Sequence, residues 1–161
     1  MPMSQPIRQF SLIYLAADHA GFALKNEVAA WLSGEGFVVI DGGAEAFDAE
    51  DDFTDYVIPA VRAMVADTDA AAIVFGGSGQ GEAMAANRVP GARAAVYYGH
   101  TKEIPALSRQ HNDANVLSLG ARFVTPDEAK WAIWEWLHTP AFEDVKYARR
   151  NQALDETSRT V

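Results

Sequence analysis

Ile73-Val74-Phe75-Gly76-Gly77-Ser78-Gly79-Gln80-Gly81-Glu82-Ala83-Met84-Ala85-Ala86-Asn87 reads as an apolar strand, a tight loop and the start of a helix. Four glycines fall within the six positions from Gly76 to Gly81. Glycine lets main-chain N–H groups converge without Cβ interference, so such a loop forms a nest for an anion or a developing oxyanion. The spacing of Gly76 and Gly81 matches the opening of a nucleotide-binding P-loop, but Glu82 and Ala83 stand where that loop needs Lys and then Ser or Thr. A carboxylate there repels a triphosphate, and alanine cannot hold Mg²⁺. Glu82 therefore reads as a base rather than a phosphate clamp.

Outward from this loop, the chain alternates short apolar runs with helical patterns. Leu12 to Ala17 reads as a buried parallel strand ending on Asp18-His19-Ala20-Gly21, followed by a helix from about Phe22 to Leu32 and a strand over Phe37 to Ile40. The acidic run Glu45 to Asp52 reads as a solvated connection, and Tyr56 to Ala66 as a helix. Beyond the glycine loop a helix must stop near Pro90. Ala92 to Tyr98 is the fourth expected strand, Thr101 to Gln110 a helix interrupted near its start by Pro105, and Ala114 to Leu119 the fifth strand. Thr125-Pro126-Asp127-Glu128 caps a helix whose tryptophans suit a core or a subunit interface. Such a succession of strand–helix units predicts an open parallel sheet covered on both faces, with ligands beyond the carboxyl ends of its strands. The polar residues expected at that edge are Asp18, His19, Ser78, Glu82, His100 and Arg122.

With 161 residues, 49% of them hydrophobic, the chain suits one domain. The expected division is a flexible arm over 1–9, a single domain over 10–154 and a tail over 155–161. A net charge of -9 argues against a nucleic-acid or anionic-membrane partner. There is no cysteine, hence no thiolate nucleophile, disulfide or Cys-based zinc site. His19, His100, His111 and His138 lie in separate segments without close ligand spacing, so no metal is expected. The opening lacks a signal-peptide pattern, and the expectation is a soluble cytoplasmic protein.

The segments Ala17-Asp18-His19-Ala20-Gly21-Phe22, Gly77-Ser78-Gly79-x-Gly81-Glu82, Leu107-Ser108-Arg109-Gln110-His111-Asn112-Asp113 and Gly120-Ala121-Arg122 occur in order and at matching spacing. Through them, roughly residues 12–154 resemble the ribose-5-phosphate isomerase B group, which includes allose- and galactose-6-phosphate isomerases. The resemblance implies a Rossmann-like three-layer α/β/α sandwich with a five-stranded parallel sheet. It also implies a homodimer or dimer of dimers whose active site borrows residues across the interface.

The implied reaction is aldose–ketose isomerisation of a small-molecule sugar phosphate through a cis-enediolate, without a cofactor. One branch of the family has its base as Cys at the position of Gly76, the other as Glu at the position of Glu82; this chain looks like the second. Apolar neighbours would raise the Glu82 pKa and the helix N-terminus lower it, and the sequence leaves that contest open. By the same resemblance Ser78 and the amides of Gly77, Gly79 and Gly81 would donate to the enediolate oxygen, each such donor being worth about 3 kcal/mol. His111 would open the sugar ring, Asn112 hold sugar hydroxyls, and Asp18 and His19 contact the sugar and its phosphate. Asp18 also suits a helix-capping role. Arg122, Lys146 and Arg150 are the implied phosphate ligands. Lys146 and Tyr147 depart from the family's Arg and His, and Phe53-Thr54 from its Tyr-Pro, so four-, five- and six-carbon substrates all stay open. The alternative is a sugar-phosphate-binding module without turnover.

Overall fold

The computed structural model describes residues 7–159. In chain order the elements are β1 (Leu12–Ala17), α1 (Phe22–Gly34), β2 (Val38–Asp41), α2 (Phe53–Ala66), β3 (Ala70–Gly76), α3 (Gln80–Ala86), β4 (Ala94–Tyr97), α4 (Ile104–Asn112), β5 (Val116–Gly120), α5 (Pro126–His138) and α6 (Val145–Arg159). All strand pairings are parallel, in the order β2-β1-β3-β5-β4.

Side chains alternate across each strand, and the two faces carry separate cores. Ile13, Leu15, Ile73, Phe75, Leu117 and Leu119 point to the face covered by α1 and α5, where Val28, Leu32, Ile133 and Trp136 complete the packing. Tyr14, Ala16, Ala72, Val74 and Val116 point to the other, against Val57, Val61 and Met64 of α2 and Ala85 and Ala86 of α3. Helix α4 packs on α5, and α6 packs on the outside of α4. This is the three-layer α/β/α sandwich expected of the sequence. Among the described residues, no helix is long and apolar enough to cross a membrane.

The departures have local causes. β3 begins at Ala70, three residues before the β-branched Ile73, because small alanines fit beneath α2 at the centre of the sheet. Helix α2 starts at Phe53, after Asp52 in extended conformation, rather than at Tyr56. Pro105 does not interrupt α4; it sits in the helix's first turn, where its missing N–H has no intrahelical acceptor to lose. His111 and Asn112, expected beyond the helix, form its last residues. Of the arm expected over 1–9, residues 1–6 lie outside the described residues; Gln9 N donates to Leu137 O and the Arg8 guanidinium lies over the Phe37 ring. At the other end α6 runs to Arg159, past the boundary expected at 154, and Asp155 takes two hydrogen bonds from Arg93.

Candidate active site

The order β2-β1-β3-β5-β4 means that the connection leaving β1 runs to one side, toward β2, and the one leaving β3 to the other, toward β4, which opens a crevice at the carboxyl ends of β1 and β3. Register brings three chain segments to that rim together: Ala17 pairs with Phe75, and Gly76 with Gly120. Asp18-His19, the glycine loop and Ala121-Arg122 therefore emerge side by side.

The loop is held by its own main chain and by β5. Ala121 N donates to Gly76 O at 2.8 Å, Arg122 N to Gly77 O at 3.1 Å, and the buried Ser118 hydroxyl to Gly79 O at 2.6 Å. Gly79 has φ +77°, a left-handed conformation that favours glycine, and from it α3 starts. Glu82 falls in the first turn of α3 and is only 4% exposed. Its carboxyl lies directly over Gly76, where an added Cβ would sit 2.0 Å from Glu82 Cδ and Oε1. A side chain at 76 and this placement of Glu82 are mutually exclusive. Burial pushes the Glu82 carboxyl up from its ordinary value, its own main-chain N–H opposes the rise, and the charge of Asp18 adds to it. Burial thus outweighs the hydrogen bond from that N–H.

Around Glu82 the rim is polar. Asp18 Oδ1 accepts from Ala20 N at 3.0 Å and Gly21 N at 3.2 Å, so it closes the turn leading into α1, whose N-cap Gly21 takes no side-chain bond; the capping role expected of Asp18 falls on that turn and not on the helix itself. His19 is half-buried, and its main-chain N and ring Nδ1 both bond Asp51 Oδ1, at 3.0 and 2.8 Å. The Arg122 guanidinium lies against Gly77, with Nη1 3.1 Å from the position of a Cβ there. Ser78 is exposed, and its hydroxyl accepts from Gln80 N at 3.4 Å. Beside it, a cavity of about 280 Å³ is lined by Ser78, Gln80, Tyr98, His100 and Phe123. The Phe53 ring closes over Gly81, 3.0 Å from a Cβ built there.

The remaining expected site residues lie elsewhere. Helix α4 runs against the strand direction, so His111 and Asn112 end beside the start of β4 and β5, where Arg93 Nε donates to Asn112 O at 3.1 Å. This is the opposite rim of the sheet, and the seven residues of β3 between the rims span about 20 Å. There the His111 ring stacks on Tyr147 with centroids 4.7 Å apart and planes at 6°, and Asn151 Nδ2 donates to His111 O at 3.1 Å. Lys146 and Arg150 flank the Tyr147 ring, with Lys146 Nζ 4.9 Å and Arg150 Cζ 5.9 Å from its centroid. Buried Arg109 anchors α4 by donating to Asp113 Oδ1, Ala114 O and Thr139 O.

One chain therefore collects Glu82, Ser78, Asp18, His19, Gly77, Gly79, Gly81 and Arg122 at one rim and His111, Asn112, Lys146 and Arg150 at the other. Sequence reading missed Asp51 and Tyr147. Asp51 belongs to an acidic run whose pattern points to solvent, yet its side chain is only 4% exposed; Tyr147 stands out in the sequence only as a departure from the family's His. An aromatic residue next to Lys146 and one helical turn before Arg150 is the available signal. Among the described residues no group of three His, Asp or Glu side chains converges on a metal-sized site.

Residues 13–154 match the family model described as Ribose/Galactose Isomerase. The chain is 42% identical over 148 residues to ribose-5-phosphate isomerase B of Mycolicibacterium paratuberculosis, covering 92% of each chain. It is 34% identical over 142 residues to the Escherichia coli enzyme of that name, covering 88% of this chain and 93% of the other. Among solved structures, ribose-5-phosphate isomerase B from Mycoplasma genitalium with bound ribulose-5-phosphate aligns with a TM-score of 0.87 at 33% identity, over 94% of this chain and 99% of that one. A family match across most of its length, with relatives this similar, means that the chain belongs to the ribose/galactose isomerase family.

Proposed function

We propose that this protein interconverts an aldose phosphate and its ketose isomer, ribose 5-phosphate and ribulose 5-phosphate or a close homologue, with Glu82 as the base. The observation that carries the reading is the Glu82 carboxyl, buried over side-chain-free Gly76 at the switch point of a sheet whose relatives bear the isomerase name. Glu82 takes the proton from C2 of the open-chain aldose and returns it to C1 of the cis-enediolate, while the hydroxyl proton passes from O2 to the adjacent O1 so that the carbonyl moves from C1 to C2; for the reverse reaction the order inverts. Proton and electron pair stay within substrate and carboxyl, so no external oxidant is needed. Ser78 and the loop amides receive the developing negative oxygen.

His111 opens the furanose ring, as suits an imidazole, and Asn112 steadies the hydroxyls. Because these two lie at the far rim of their own chain, a complete site requires a second copy, which supports a homodimer or dimer of dimers with the site at the interface. His19 and Arg122 of one copy and Lys146 and Arg150 of the other then share the phosphate. Phe53 presents an apolar ring at the sugar end, so the preferred chain length is set by a screen of four-, five- and six-carbon aldose phosphates.

The decisive test is deuterium uptake at the exchanging carbon of ribose 5-phosphate in D₂O. The wild type exchanges and turns over; Glu82→Gln loses about 10²- to 10⁴-fold in kcat, the usual contribution of a positioned base, while substrate still binds. Binding without exchange by the wild type, for every aldose phosphate in the screen, would leave the non-catalytic module instead. The pH dependence follows from the raised Glu82 pKa. Only the carboxylate abstracts a proton, so activity falls with acid from a higher pH than an ordinary carboxylate dictates. A carboxyl with a raised folded-state pKa stabilises the fold below its unfolded value, and that contribution is lost as pH rises through the folded value. Glu82→Gln therefore melts at a higher temperature than the wild type at neutral pH, and the gain disappears in acid.

A further inference from the structure

His19 and Asp51 come from different loops, after β1 and before α2, and their contact is directional. One carboxylate oxygen, Asp51 Oδ1, receives both the main-chain N–H of His19 at 3.0 Å and ring Nδ1 at 2.8 Å. The Asp51 side chain is 4% exposed, whereas that of His19 is 30% exposed. A carboxylate only accepts, so Nδ1 carries a hydrogen and the tautomer is fixed. In the neutral ring the outer nitrogen, Nε2, would then present a lone pair. The phosphoryl dianion, the prevailing form above about pH 6, likewise presents only acceptors, so lone pair would meet lone pair. The ring can bind phosphate only when Nε2 is protonated as well, that is, as imidazolium.

We propose that Asp51 is a positioning residue for substrate capture: by holding Nδ1–H and the His19 main chain together, it turns the ring so that only its doubly protonated form receives the phosphoryl group. This rests on the function proposed above, from which His19 takes its place at the phosphate end. The charged groups facing His19 are consistent with the role. The Asp51 hydrogen bond is the largest influence raising its pKa, partial burial opposes it, the charges of Asp18 and Asp51 add to the rise, and Arg122 across the rim opposes it. The Phe47 ring packs edge-on at 6.4 Å between centroids and contributes no charge. The pairing of His19 with Arg122 thus gives two cations for a dianion, one of them switchable, and Asp51 extends the switch to higher pH.

Asp51→Asn is the informative variant because the amide oxygen can still accept both N–H groups while the charge is gone. His19 is followed by its ring NMR resonances, assigned with His19→Gln, with and without inorganic phosphate. KM and kcat for the isomerised sugar phosphate are measured from pH 6 to 9. In the wild type the His19 midpoint lies above the ordinary imidazole value of about 6.5 and rises further with phosphate. In Asp51→Asn the midpoint falls, KM at pH 8 rises about tenfold and much less at pH 6, and kcat stays within about twofold. Asp51→Ala shows the same loss with a further rise in KM at every pH. An unchanged His19 midpoint in Asp51→Asn, or a KM penalty equal at pH 6 and pH 8, overturns the proposal. The NMR midpoint needs no turnover. An inactive wild type with a charge-dependent midpoint would therefore sink the isomerase reading and keep the Asp51–His19 coupling, while an active enzyme with an insensitive midpoint would do the reverse.

Discussion

The two rims of the sheet bear the two halves of the proposed site, and they are built in opposite ways. At the Glu82 rim the key carboxyl is 4% exposed, set by main-chain bonds between adjacent strands and by a glycine that leaves it room. At the His111 rim the imidazole is stacked on an aromatic ring from α6, a 15-residue helix none of whose residues is buried. The first half has a rigid, water-poor setting that tunes a pKa; the second has a surface setting with long cationic side chains that reach. Proton abstraction needs the former, because a base displaced by about 1 Å costs on the order of 10²-fold in rate. Capture of a charged, flexible substrate tolerates the latter. In the proposed dimer, the copy that supplies the base and the copy that closes over the substrate would meet different mechanical demands, and the two settings lie on different edges of one fold.

The sharpest way to break this comparison is to spoil one rim at a time. Glu82→Gln and His111→Gln, each purified alone, are expected to lose at least about 10²-fold with the cyclic sugar phosphate. After subunit exchange, half the dimers are hybrids in which one site carries both substitutions and the other neither, so mixing should restore about a quarter of wild-type activity. If each chain built its own site, every site in the mixture would keep one substitution and nothing would return. Hybrid formation, checked by mass, with no recovery would therefore end the two-copy reading.

The build of the Glu82 rim was largely legible in the sequence; His111, Asn112, Lys146 and Arg150 were named only through the resemblance, and their placement at the opposite rim was not legible, for physical reasons. Buried strands and a glycine loop leave strong local marks: continuous apolar runs and four glycines in six positions, from Gly76 to Gly81. Those marks gave the strands, the loop and Glu82 in its first helical turn. Helix α6 has no fully buried residue, so no apolar period announces where it ends, and Arg93, whose bonds to Asp155 hold its far end, is distant in sequence. Asp51 was hidden for another reason. In a run of acidic residues only tertiary structure distinguishes the carboxylate that turns inward from those left in water. Pro105 suggests a break because proline stops helices in their interior, whereas in a first turn, where it sits here, it starts one.

A second substitution separates stability from chemistry at the Glu82 rim. Gly76→Ala places a methyl 2.0 Å from the Glu82 carboxyl, which must swing away. The obstructing atoms are the end of a flexible side chain, and Gly76 is not among the residues with positive φ, so the backbone conformation admits alanine. The expected result is a loss of about 10²-fold in kcat from misplacement of the base. The melting temperature should stay close to that of the wild type, since the displaced carboxylate regains water. Near-normal activity with a large drop in stability would show that the glycine serves packing rather than the base.

The smallest expected effect belongs to the far rim. Arg93 Nη1 holds both oxygens of Asp155 at 3.0 Å, but Nε also donates to Asn112 O and Nη2 to Asp113 O, and the Asp155 side chain is 31% exposed. Such a partly screened pair is worth about 0.5–1 kcal/mol, so Asp155→Ala should lower the melting temperature by roughly 1–4 °C. Arg93 keeps its other acceptors, which leaves α4 and the Asn112 carbonyl in place. Helix α6 loses one of its few tethers, and with it the seat of Lys146, Tyr147 and Arg150. KM should therefore rise a few-fold, kcat should hold, and the rise should shrink in high salt as exposed charges are screened. A fall in kcat instead would mean that α6 reaches the base as well as the phosphate, and the mechanical division between the rims would be weaker than their structures imply.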